Sequence, residues 1–134
     1  MERSKILTEE IREALAKYPQ YSQDGKGGRA VALMRLYITG TAATFYILEG
    51  EPRGEYEGRE EWHLYGLSNM ERGEGFRYDY FSLAELEGLN MYGGLVRLER
   101  DEHFNPCELS EIAEVAANCS GIWKKETEEH TNEN

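Results

Sequence analysis

The spacing of hydrophobic residues predicts one helix near the start of the chain and one near its end. Residues 8–18 carry apolar side chains at the i, i+3, i+4, i+7 spacing of one buried stripe: Ile11, Ala14, Leu15 and Tyr18. Thr8 is a suitable N-cap, and Pro19 ends this helix. Residues 109–119 have a similar stripe, with Ser110 as the expected cap. We expect each helix to pack by one face.

A third, shorter helix is indicated by the residues at its start. Ser82 and Glu85 have the spacing of a capping box, in which each side chain bonds the backbone N–H of the other residue. We expect this helix to begin at Ser82 and to end near Asn90 or Gly93.

Five segments have the alternating, β-branched or aromatic composition of strands. They are residues 30–38, 44–48, 62–67, 75–81 and 95–100. The links between the first four are of hairpin length, which favours an antiparallel meander. The sequence therefore predicts an α+β fold, in which an antiparallel sheet of about five strands has three helices on one face. Residues 1–123 form a single domain, and we expect the polar tail, 124–134, to be disordered.

Residues 49–61 interrupt the pattern of strands. They contain six acidic residues against two arginines, together with three glycines and a proline. Such residues add little to a core, so we expect an exposed loop that is either a solvated connection or a contact surface.

The whole chain is strongly acidic. Its 134 residues include 26 Asp and Glu against 15 Lys and Arg, which gives a net charge of −11. Nucleic acids and anionic membranes bind clustered basic residues, so neither is an expected partner. A basic surface of another protein is favoured instead, because complementary charge steers encounter. The alternative explanation is that the excess of acidic residues keeps the protein soluble.

Three further features favour a cytoplasmic location. No apolar run approaches the ~20 residues of a membrane span, and the N-terminus lacks the pattern of a secretory signal. The two cysteines, Cys107 and Cys119, are not in CxxC spacing. Reduced thiols are the expected state.

Two short stretches carry candidate chemistry. The turn at 24–28 offers Lys26 and the backbone amide of Gly27 to a small anion, but it lacks the phosphate-loop pattern, and a flexible turn is the simpler interpretation. If the last strand continues, Glu99, Asp101 and His103 share one face, where they could bind a divalent metal or act in acid–base catalysis. A structural Arg100–carboxylate pair is the alternative. No cofactor fingerprint is present, and no cofactor is expected.

Tyrosine is abundant, with nine residues in the chain. The predicted strands carry Trp62, Tyr65, Tyr78 and Tyr80. Cross-strand packing explains most of these side chains. The remainder could form a face that binds a partner, since Tyr and Trp are enriched at binding hot spots.

Several stretches resemble the bacterial family known as domain of unknown function 2958. They are LTEEI at 7–11, YSQDGKG at 21–27, YFSLAELE at 80–87, LERDEHFNP at 98–106 and LSEI at 109–112. The resemblance covers about residues 5–113, and the middle of the chain differs. It implies an origin on plasmids, integrative elements or phages, near DNA-processing and anti-restriction genes, and it assigns no catalytic residue.

Two classes of function follow. The first is a non-enzymatic interaction protein, such as an anti-defence inhibitor, that binds a basic surface of a host or mobile-element protein, for example a nuclease. Its expected contact residues are Glu55, Glu57, Glu60, Glu61, Glu99, Asp101 and Glu102. The second is a small-ligand protein, binding a nucleotide or an anion, or a metal-dependent hydrolase. Its expected site residues are Lys26, Gly27, Glu99, Asp101 and His103.

Overall fold

An antiparallel sheet of six strands forms the centre of the protein in the computed structural model. The structure describes residues 1–70 and 75–132. In the last helix it describes the side chains up to residue 123, except that of residue 120. The strands are β1 (Val31–Ala32), β2 (Met34–Ile38), β3 (Thr44–Tyr56), β4 (Arg59–Asn69), β5 (Arg77–Ser82), β6 (Asn90–Met91), β7 (Val96–Arg100) and β8 (Cys107–Glu108). The sheet has the order β5-β4-β3-β2-β7-β6, and β1 pairs separately with β8.

Three α-helices accompany these strands within the described residues. They are α1 (Glu9–Lys17), α2 (Leu83–Glu87) and α3 (Ala113–Asn132). Short 3₁₀ turns lie at Gly27–Arg29, Tyr92–Gly94 and Leu109–Glu111. None of the described helices is long and apolar enough to cross a membrane.

The mixed α+β class and the antiparallel pairing are confirmed, but the sheet is a meander only from β2 to β5. The next long strand, β7, pairs with β2 at the other side of the sheet rather than with β5. Helix α2 makes this crossing possible because it follows β5 and packs against both β4 and β7.

The prediction that 49–61 forms an exposed loop is wrong. Strands β3 and β4 continue through it as a hairpin, closed by Glu57 and Gly58, which both have positive φ as a two-residue type I′ turn requires. Register shifts between Ile47 and Glu49 and between Pro52 and Glu55 accommodate irregular positions in β3. Composition concealed this hairpin because several of its acidic residues have partners inside the molecule.

Helices cover both faces of the sheet, whereas the sequence predicted one covered face. On the first face, α1 and α2 pack through Leu15 and Leu83 against residues that include Leu36 and Ile47. On the second face, α3 packs through its own apolar stripe, in a cluster of Ala30, Ala32, Tyr46, Leu48, Leu67, Phe76, Leu109, Val115, Cys119 and Trp123. Neighbouring residues of β3 alternate between the two clusters, as the strand period requires.

The final helix begins later than its apolar pattern suggested. Residues Leu109–Glu111 form a 3₁₀ turn, and α3 starts at Ala113 and runs to Asn132. The helix therefore continues into the segment for which we expected disorder. The domain boundary after residue 123 stays a prediction, since the side chains beyond it lie outside the described part of the chain.

The glycines of the 24–28 turn have a packing role. Gly27 has a φ of +54°, and its backbone lies against the side chain of Trp123. A Cβ atom on Gly28 would lie 2.8 Å from Cε3 of Trp123, closer than real Cβ atoms approach another side chain. The glycine run thus lets the turn contact α3 closely.

We therefore expect Gly28→Ala to lower the free energy of unfolding by about 1–3 kcal/mol, since the added methyl group overpacks the contact with Trp123. Urea denaturation measures the effect. Gly121→Ala in α3 is the control, because its Cβ would meet nothing within 4 Å and helix propensity should raise stability by up to about 1 kcal/mol. An unchanged unfolding midpoint for Gly28→Ala would contradict the packing role.

Candidate functional site

A cleft of about 530 Å³ lies between the first turn of α1 and the segment that follows β7. We call it the acidic cleft, because Glu9, Glu10, Asp101 and Glu102 line it with one basic residue, Arg100. Its apolar lining includes Ile11, Leu33, Met34, Phe104 and Pro106. The cleft therefore combines an apolar floor with a surplus of negative charge.

The helical wall of the acidic cleft is set by the start of α1. The Thr8 side chain accepts a hydrogen bond from the N–H of Ile11 at 3.2 Å, which confirms Thr8 as the N-cap. Glu9 and Glu10 occupy the first turn, where the helix dipole favours acidic side chains, and both are exposed. Our sequence interpretation used them only as helix-start signals.

The opposite wall is set by a turn after β7. The N–H of Asp101 donates to the carbonyl of Arg35 at 2.9 Å, and the Asp101 carboxylate accepts from the N–H of His103 at 3.0 Å. That carboxylate also pairs with Nη1 of Arg35 at 3.2 Å. These bonds turn the chain and leave Glu102 exposed.

The condition under which Glu99, Asp101 and His103 would share one strand face is not met, because β7 ends at Arg100. The three residues instead line a second, shallower cleft of about 390 Å³. Glu99 accepts a hydrogen bond from Nε of Arg97 at 2.6 Å. Within the described ranges, no group of three His, Cys, Asp or Glu side chains is placed to hold a metal ion.

Arg100 lies where these clefts meet. It lines the acidic cleft, the second cleft and a third cleft of about 400 Å³, and in the third it is joined by Lys5, Arg59 and Arg97. Ion pairs engage Arg59 with Glu2 at 3.5 Å and Arg97 with Glu99. The guanidinium of Arg100 is in none of the ion pairs found among the described residues.

Glu60, an expected contact residue, bonds groups inside the molecule. Its carboxylate accepts from the N–H of Ser4 at 2.9 Å, from Nη2 of Arg12 at 2.7 Å and from Nε1 of Trp62 at 3.0 Å. The hydrogen bond from Arg12 is the largest of several contacts that lower the pKa of Glu60 to about 2. Glu60 therefore attaches α1 and the N-terminal segment to β4.

Glu61 is buried and bonds the start of α2. It accepts from the N–H of Ala84 at 3.0 Å and from the hydroxyl of Ser82 at 2.5 Å. Ser82 accepts in turn from the N–H of Glu85 at 3.2 Å, which confirms it as the N-cap. The acidic residue that bonds Ser82 in this cap is thus Glu61. The capping-box spacing had assigned that role to Glu85, whose side chain is exposed.

The other predicted site residues lie apart from the acidic cleft. Glu55 and Glu57 are exposed at the closed end of the β3–β4 hairpin. Lys26 lies over the ring of Tyr18, with its Nζ 5.7 Å from the ring centroid. Neither Lys26 nor Gly27 is among the described residues that line the three clefts.

Sequence reasoning missed the pairing of Glu9 and Glu10 with Asp101 and Glu102. About 90 residues separate the two pairs, so only the folded chain brings them together. One signal was available: the stretches 7–11 and 98–106, which carry the family resemblance, form the two walls of this cleft.

Comparison with family models supports that resemblance. Residues 6–123 match the family described as "Protein of unknown function (DUF2958)", and the chain belongs to it. No curated protein and no solved structure matches the chain.

We expect Glu60→Gln to lower the free energy of unfolding at neutral pH by about 2 kcal/mol, because charge-assisted hydrogen bonds from Arg12 are lost. The pKa of Glu60 falls from an ordinary 4.5 to about 2 on folding, so its stabilisation is complete above about pH 4.5 and is lost as the pH drops towards 2. The difference from the wild type should therefore shrink over that range in urea titrations. Glu55→Gln, at an exposed position, is the control, and a difference independent of pH would contradict this role.

The cap of α2 gives a second stability test. Ser82→Ala should cost about 1 kcal/mol, and Glu61→Gln should cost more than Glu85→Ala, because Glu61 is buried with its partners. The losses at Ser82 and Glu61 should be non-additive, since the two side chains bond each other. Thermal unfolding of the single and double variants measures this, and strict additivity would show that the contact contributes nothing.

Proposed function

We propose that this member of the family is a non-enzymatic interaction protein whose acidic cleft binds a basic segment of another protein. The observation that carries the proposal is the combination found in the cleft, where four carboxylates surround an apolar floor in a volume of about 530 Å³. An apolar side chain on the partner would fill the floor, and flanking Lys or Arg residues would meet the carboxylates.

Charge supports the same class of partner. The chain carries −11, and the acidic cleft itself is lined by four acidic residues against one arginine. Such a field speeds the approach of basic proteins and repels nucleic-acid phosphates. Proteins that bind DNA or RNA expose basic surfaces, which an acidic protein attracts. We therefore propose a nuclease or another nucleic-acid-binding effector as the partner.

The proposed biological setting is a plasmid, integrative element or phage, with the protein acting in the cytoplasm as an anti-defence inhibitor. This part rests on the family resemblance and on the acidic charge. An inhibitor needs no chemistry of its own, because occupying the basic channel of an effector excludes its substrate.

The second candidate function is binding of a small anion, such as a nucleotide. The cleft where Arg100 joins Lys5, Arg59 and Arg97 favours it, because four basic side chains lie together in an otherwise acidic protein. Glu2, Glu87, Glu99 and Glu102 line the same cleft and balance that charge, so the interaction reading is preferred.

We expect the double reversal Glu10→Lys/Glu102→Lys to slow association with the partner about tenfold or more at low salt, because both side chains line the acidic cleft and are exposed. The partner is first purified by capture from a bacterial host lysate, and association is then measured by surface plasmon resonance. The effect should shrink as salt rises, since salt screens exposed charges.

The matched control is Glu55→Lys/Glu57→Lys, which changes the net charge by the same amount at the exposed hairpin end. Equal slowing by both double variants would contradict the special role of the acidic cleft, because total charge or contact at the hairpin end would then explain the binding. Unchanged association for both would contradict the proposal. Thermal stabilisation by ATP or phosphate that is lost in Arg100→Gln would support the anion-binding function instead.

A further inference from the structure

A row of four tyrosines crosses the face of the sheet that carries α3. The rings of Tyr65 and Tyr80 have centroids 4.9 Å apart, and those of Tyr65 and Tyr78 are stacked at 6.0 Å with an 18° interplanar angle. Tyr65 lies on β4 directly opposite Tyr80 of β5, so the strand period places all three rings on one face. The fourth member is Tyr21, whose N–H bonds the carboxyl group of Glu49, the residue of β3 directly opposite Tyr65. We call this set the tyrosine row.

The row runs from the core to the surface. At its inner end, the hydroxyl of Tyr78 accepts a hydrogen bond from Nε1 of the buried Trp123 at 2.9 Å. At its outer end, Tyr80 is 49% exposed and Tyr21 is 62% exposed. Core packing therefore accounts for the inner half of the row but not for the outer half.

The fold holds Tyr21 in an unfavourable conformation at this exposed position. Its φ is +73°, a left-handed value that a bulky residue rarely adopts. The buried carboxyl group of Glu49 secures the turn, since it accepts from the N–H groups of Tyr21 at 2.8 Å and Gln23 at 2.9 Å. Backbone strain of this kind, held by a buried polar group, is characteristic of functional positions.

Two carboxylates lie near the outer half of the row. The N–H of Asp24 donates to the carbonyl of Tyr21 at 3.2 Å, and Glu51 lies two residues along β3 from Glu49, on the same face of the strand. The neighbouring phenol of Tyr80 raises the pKa of Tyr21 most, and the charges of Asp24 and Glu51 raise it further. Asp24 also contributes to the raised pKa of Tyr65, where burial is the main cause. Glu51 forms an ion pair with Arg53 at 3.3 Å. Ring faces are thus presented beside the carboxylate of Asp24, which is in none of the ion pairs found among the described residues, whereas a guanidinium that approaches Glu51 would compete with Arg53.

We propose that the tyrosine row, with Asp24 and Glu51 beside it, is a docking surface for an arginine-rich segment of a partner protein. A guanidinium group is planar, stacks on aromatic faces and donates hydrogen bonds to carboxylates at the same time. A lysine ammonium is more strongly hydrated and lacks the planar stacking surface. Nucleic-acid bases would also stack, but the carboxylates repel the phosphates that accompany them. The surface is separate from the acidic cleft and does not depend on it.

The test compares a fluorescent octa-arginine peptide with an octa-lysine peptide of equal charge, by anisotropy at 0.15 M salt. We expect octa-arginine to bind more tightly, and Tyr80→Ala to weaken its binding about threefold or more while leaving octa-lysine unchanged. Tyr80→Phe keeps the ring and should keep the preference. Tyr56→Ala removes an exposed tyrosine at the hairpin end and is the matched control.

Equal affinity for the two peptides, or the same loss for both in Tyr80→Ala, would overturn the proposal in favour of charge alone. Tighter binding of a single-stranded oligothymidine than of octa-arginine would overturn it in favour of nucleic acid. In Glu10→Lys/Glu102→Lys, the preference for arginine should persist. If this variant keeps the preference for arginine and also binds the captured partner unaltered, the acidic-cleft proposal has failed while the tyrosine-row proposal stands.

Discussion

Three carboxyl groups of the β3–β4 hairpin, those of Glu49, Glu60 and Glu61, each bond a different part of the chain to the sheet. Glu49 holds the turn that begins at Tyr21, Glu60 holds the N-terminal segment and α1, and Glu61 holds the first turn of α2. In each case the carboxyl group accepts backbone N–H groups that would otherwise lack a partner. A hairpin with an acidic composition thus connects the helices and the turn to the core.

These internal bonds change the meaning of the net charge. The sequence places six acidic residues in 49–61, yet Glu49 and Glu61 are buried and Glu60 is mostly covered. These three carboxyl groups are not free to contact a partner directly, because their oxygen atoms accept hydrogen bonds from donors within the fold. Exposed acidic side chains remain at the hairpin end, at Glu55 and Glu57, and others line the acidic cleft, at Glu9, Glu10 and Glu102. Net charge alone therefore does not locate the surface that would meet the basic partner we propose.

Local signals predicted the elements that depend on neighbouring residues. The apolar period located α1, Ser82 located the start of α2, and alternation located most strands. The hairpin was missed because partners distant in sequence, such as Arg12 for Glu60, make its polar residues compatible with a strand. The position of β7 beside β2 was missed because the sequence prediction extended the meander of the first four strands to the fifth, whereas α2 lies between β5 and β7 and packs against both β4 and β7. The walls of the acidic cleft come from segments about 90 residues apart in the chain, and no local pattern relates them.

The same carboxyl groups keep the two proposed surfaces structurally separate. Glu60 fixes Arg12 and so the helix whose first turn supplies one wall of the acidic cleft, whereas Glu49 fixes the turn that presents Tyr21 to the tyrosine row. Different residues of one hairpin therefore support each surface, and they share no hydrogen-bond partner among the bonds described. Changes in interactions that share no partner combine additively. A variant that weakens one surface should accordingly leave the other unaltered.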